Sequence, residues 1–138
     1  MRPRLALASG SLLAWLLLAV MQAARACLAS LRAGAAVHLG AVLWTETVLH
    51  LSWALLTLAA FAVAGRVPAR RARDLPPHLL AASVLTGMHL GALAAATAAG
   101  MLDAEIAAFP VPGHASPGAL AAGAAYDLAV YAGAAAVW

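Results

Sequence analysis

AGAAVHLGAVLWTETVLHLSWALLTLAAFAVA, residues 33–64, decides the fold. Its ionisable side chains are His38, Glu46 and His50 alone, so a helix here has no charged face to turn toward water. Such a run belongs in the core of a large protein or in lipid. The chain has only 138 residues, 65% hydrophobic and 9% charged, and a single domain of that size cannot hide so much apolar surface. The reading is therefore an integral membrane protein. A hydrocarbon core of about 30 Å takes about 20 helical residues. This stretch is longer, so the crossing is placed at 37–64, with 33–37 in the outer interface.

Three further stretches, 5–24, 79–102 and 119–138, match the length of a crossing. In lipid the backbone must bond to itself, which makes all four helical in spite of their many Gly and Val residues. The expected fold is all-α, a four-helix membrane bundle forming one domain over 1–138. Arginine placement orients it. Arg2 and Arg4 precede the first span and Arg66, Arg70, Arg71 and Arg73 follow the second, against Arg25 and Arg32 in the first connection. The excess puts both termini and the 65–77 connection inside, and the 103–117 connection outside. Pro68, Pro76 and Pro77 in the former, and Pro110, Pro112, Gly113 and Pro117 in the latter, mark helix ends.

Ala24-Arg25-Ala26 ahead of Cys27 also has the form of a secretory cleavage site. The apolar run before it is longer than the roughly 7–15 residues of a signal's apolar region, which favours a retained first helix. Removal would leave three spans in the same orientation. The lone Cys27 excludes an intrachain disulfide and a multi-thiolate metal site. The net charge of +3 comes from Arg residues flanking apolar runs, which is not a nucleic-acid-binding face. Phosphate loops and nucleophile-elbow motifs are absent from the sequence.

Few polar groups remain inside the spans. Glu46 and His50, four residues apart, share a helix face and can meet. A carboxyl group in lipid is costly, so Glu46 is expected to face the bundle interior with His50 as partner. A packing lock, a proton path, a quinone site and a cofactor pocket all fit that pair. His38 lies about 80° around the helix from Glu46 and two turns nearer the outer end. His78 and His89, eleven residues apart, fall about 20° off one face. They are a weak indication of a metal site. Asp127, with Tyr126 and Tyr131 nearby, is a second carboxyl group that needs a partner. Gly87, Gly91, Ala95 and Gly123 allow close helix approach.

Two segments resemble parts of the heme A synthase family. Arg32-Ala-Gly-Ala-Ala-Val-His38-Leu-Gly-Ala-Val-Leu43 is similar to that family's R-L-A-x-H-L-x-x-A/S-L pattern at the outer end of a helix. Leu90-Gly-Ala-Leu-Ala-Ala-Ala-Thr-Ala-Ala-Gly100, followed by Phe109-Pro110-Val-Pro-Gly113, is similar to its L-G-A-L-V-A-G-x-x-A-G helix end and the Pro/Gly loop beyond. His78 falls where some members place a His at the start of that helix. The resemblance covers roughly residues 20–113. It implies a haem b cofactor with His38 as an axial ligand to the iron, and oxidation of the methyl group of heme O in an active enzyme. The role implied is heme A biosynthesis and cytochrome c oxidase assembly, in a bacterial cytoplasmic or mitochondrial inner membrane. The family's H-R-x-x-G pattern is replaced in the last span by Tyr126-Asp127-Leu128-Ala129-Val130. A second haem ligand is therefore expected from another chain, either a second membrane subunit or a further copy of this one. Two other functions fit the residues. One is a non-enzymatic small membrane subunit or assembly factor with a structural Glu46–His50 pair. The other is a proton-conducting subunit built around Glu46 and Asp127.

Overall fold

The computed structural model of the chain describes residues 2–67, 72–102 and 116–137. Within them the protein is all-helical. Its long helices are α1 (Arg2–Arg32), α2 (Leu39–Arg66), α3 (Leu75–Ala98) and α4 (Pro117–Val137), with a single 3-10 turn (Ala72–Asp74) leading into α3. All four are long and apolar enough to cross a membrane. Arg70, Arg71 and the Pro/Gly loop at 109–113 lie outside the described residues.

The helix ends differ from the sequence expectation, and local chemistry accounts for each. The first helix does not stop at Ala24 but continues through Arg25 and Cys27 to Arg32. Ala, Arg and Leu are good helix formers, and nothing before Gly34 breaks the run. Gly34 (φ 68°) ends it: its N–H bonds the Leu31 carbonyl, and the Ala35 N–H bonds that of Ser30. That is the left-handed glycine stop a Schellman motif requires. Gly100 (φ 70°) closes α3 in the same way, with Gly100 N–H on Thr97 and Met101 N–H on Ala96. Pro76 and Pro77 open α3 instead of lying in the connection, since the first turn has no use for their missing N–H. Pro117 likewise opens α4, where the Ser116 Oγ accepts the Ala119 N–H at 3.2 Å.

The second helix is the hub. It packs against each of the other three, and α3 also touches α4. Among the described residues α1 packs on α2 alone, anchored where Trp15 Nε1 donates to Thr57 Oγ1 at 3.0 Å. Two apolar clusters fill the rest of the hub. Leu49, Leu93 and Leu102 pack toward the start of α2; Ala60, Phe61, Ala82, Tyr131 and Ala134 pack toward its Arg66 end. The polarity of the molecule is inverted. Thr45, Glu46, His50, His78, His89 and Asp127 are buried, while Leu13, Leu55, Leu80 and Met88 are more than half exposed.

Candidate functional site: a buried polar relay

Glu46, His50, Trp53 and Thr57 recur at helical spacing on α2, and all four are buried. Glu46 is 0% exposed and His50 5%, so both face the interior. The contact between them is not the expected bond between side chains. His50 Nδ1 lies 2.8 Å from the Glu46 backbone carbonyl and 3.6 Å from its Oε2. The carbonyl one turn back is nearer, because an i,i+4 imidazole folds down along its own helix. The His50 ring packs against Trp15 and edge-on against Trp53, at centroid distances of 6.1 and 5.4 Å.

The centre of the molecule is instead a four-residue network joining three helices. Asp127 of α4, 1% exposed, accepts from Trp53 Nε1 of α2 through Oδ1 at 2.8 Å. Its other oxygen lies 2.7 Å from His89 Nδ1 of α3. His89 Nε2 lies 2.7 Å from Ser52 Oγ, back on α2. Ser52 in turn directs its hydroxyl proton to the Leu49 carbonyl. Trp53 also roofs the network, with ring centroids 5.8 Å from His89 and 5.1 Å from Tyr126.

Counting protons along this network restricts its chemistry. A serine hydroxyl has one proton, and here Leu49 takes it, so Ser52 accepts from an Nε2–H of His89. The proton of the His89–Asp127 bond can then sit on either side. It makes an imidazolium–carboxylate pair or a neutral imidazole beside a carboxylic acid. Both arrangements have zero net charge, which is what an apolar interior tolerates. Removing that one proton would leave a buried negative charge.

The order Ser–His–Asp is also that of hydrolytic triads, but the setting is unsuited to acyl transfer. Ser52 lies in the middle of a continuous helix, whose backbone N–H groups are committed to helix bonds and cannot form an oxyanion hole. The arrangement can hold and pass a proton.

The other histidines separate clearly. His78 is buried, with Nδ1 2.8 Å from the Tyr131 hydroxyl and Nε2 2.7 Å from the Val67 carbonyl. It does not join His89 in a metal site, and among the described residues no group of three or more His, Cys, Asp or Glu side chains is placed to hold a metal ion. His38 is the residue before α2, exposed, and makes no side-chain capping bond. An axial haem ligand needs one ring nitrogen free, and both nitrogens of His78 and of His89 are hydrogen-bonded. Trp44, at the same end of α2, donates to the Met101 carbonyl at 2.8 Å and ties α2 to the end of α3.

Sequence reading singled out Asp127 as needing a partner and missed which one. Ser52 and Trp53 carried no signal of their own. His89 and Asp127 share a depth, nine residues before the end of α3 and ten after the start of α4, a match that the expected spans 79–102 and 119–138 blur.

Fold and site together define a small all-helical protein of four apolar helices around a buried hydrogen-bonded network of Ser52, Trp53, His89 and Asp127. No family model, curated protein or solved structure matches the chain.

Proposed function

We propose that the four helices cross a lipid bilayer and that the chain serves there as a small subunit that holds and passes a proton at the junction of α2, α3 and α4. Insertion is supported by the inverted polarity: leucines and methionines cover the outside, and the carboxyl and imidazole groups are inside. By the arginine excess, the Arg66 end faces the cytoplasm or matrix. The observation that carries the proton reading is the unbroken sequence of 2.7 Å contacts from Ser52 Oγ through His89 to Asp127. Ser52 is half-buried, which gives the network an edge from which protons can exchange. The test is decay of an imposed pH gradient in liposomes holding the purified protein. The parent should dissipate it several-fold faster than empty vesicles, and Asp127→Asn should abolish the excess. A parent no faster than empty vesicles would reduce the network to a packing device.

A second reading is favoured by the exposed, uncapped His38 imidazole. It is haem binding of the heme A synthase type, in cytochrome oxidase assembly, with the second iron ligand from a partner subunit or a further copy. Co-purified haem should then fall in His38→Ala and persist in His89→Ala. Equal haem content in both variants, or none with any partner, removes this reading.

A further inference from the structure

We propose that the groove between the first half of α3 and the last half of α4 binds the head of a lipid-soluble quinone. The groove encloses about 550 Å³, within the range of small-molecule sites. Its floor is formed by small side chains, Ala82 on α3 and Ala132, Ala135 and Ala136 on α4, which leave space between the two helices. Exposed Leu75, Leu79 and Leu128 form its rim, and His78 and Tyr131 are its polar lining.

Three features select the ligand. Among the described residues no Arg, Asp or Glu side chain lines the groove, which disfavours a phospholipid headgroup or a fatty carboxylate. The leucine rim opens on the outer apolar surface, so an alkyl or isoprenoid tail can leave along it into lipid. The polar lining is a reversible donor–acceptor pair. The Val67 carbonyl can only accept, so His78 Nε2 carries a proton and Nδ1 takes the Tyr131 O–H. Tyr131 then presents a lone pair, which suits the hydroxyl of a quinol. With Nδ1 also protonated, the His78 imidazolium donates to Tyr131 and the phenol O–H turns outward, which suits a quinone carbonyl. One pair of side chains thus serves both forms of such a ring. The site depends on the bilayer reading but not on the proton network, which involves other residues.

Photolabelling of the full-length protein in lipid nanodiscs with an azido-quinone, followed by peptide mapping, tests this. Label should concentrate on residues 75–82 and 128–136 and be displaced by excess decylubiquinone, but not by palmitate. Ala132→Phe, at an exposed position that folding tolerates, should cut it at least tenfold by filling the groove. Tyr131→Phe should weaken binding roughly 3- to 10-fold, the worth of one hydrogen bond. Ser52→Ala, which cuts the network on α2 and leaves the α3–α4 bond in place, should leave labelling unchanged, which separates this site from the relay. Label spread evenly over the outer surface, equal displacement by palmitate, or indifference to Ala132→Phe would each overturn the proposal.

Discussion

His89 Nδ1 and Asp127 Oδ2 lie 2.7 Å apart with both side chains at least 95% buried, although 38 residues separate them in the chain. The bond fixes α3 against α4 at one depth, and Trp53 on the other carboxylate oxygen fixes both to α2. Three helices share this single polar group, so its loss should be felt throughout the bundle.

Asp127→Leu strands the Trp53 N–H and the His89 Nδ1 in an apolar interior, each at a cost of about 1–3 kcal/mol. A loss of about 2–4 kcal/mol is expected in reversible unfolding from detergent micelles. In a double-mutant cycle with His89→Leu the coupling should reach about 1–2 kcal/mol, above the roughly 0.6 kcal/mol average for polar contacts in membrane proteins. Strict additivity of the two variants would contradict the geometry.

Glu46→Gln should behave differently. His50 bonds the Glu46 backbone carbonyl, and that bond survives any change of the side chain. The variant should unfold within about 0.6 kcal/mol of the parent, the average for a single polar contact of this kind. A much larger loss would mean that the Glu46 carboxyl group, and not the backbone bond, holds this part of the helix.

Orientation can be read by labelling. With Cys27 replaced by Ala, single cysteines at Arg73 and at Ser116, both exposed, should react with an impermeant maleimide from opposite sides of a sealed vesicle. Reaction from the same side would refute the arrangement of α3 between them.

What the sequence made legible follows from scale. Runs of twenty or more apolar residues set the number of helices. The mean effect of many side chains is insensitive to any one of them. Ends depend on single residues. Arg25 was read as a connection and Pro76 as a stop, whereas Gly34 ends α1 and the proline opens α3. Burial of Glu46 and His50 followed from periodicity on one helix, but their bonding did not, since the choice between a carbonyl and a carboxyl oxygen is settled by rotamer. The pairing of His89 with Asp127 was hidden for a different reason. It spans the 103–115 segment, and only a comparison of depths across two helices exposes it.

The central claim is that His89 and Asp127 share one proton while Ser52 receives the other imidazole N–H. Nitrogen-15 NMR of histidine-labelled protein in bilayers reads both nitrogens directly. The account predicts a protonated Nε2 on His89 and an Nδ1 resonance between the protonated and unprotonated positions, displaced by Asp127→Asn. An unprotonated Nε2, with an Nδ1 signal that ignores Asp127→Asn, would contradict it.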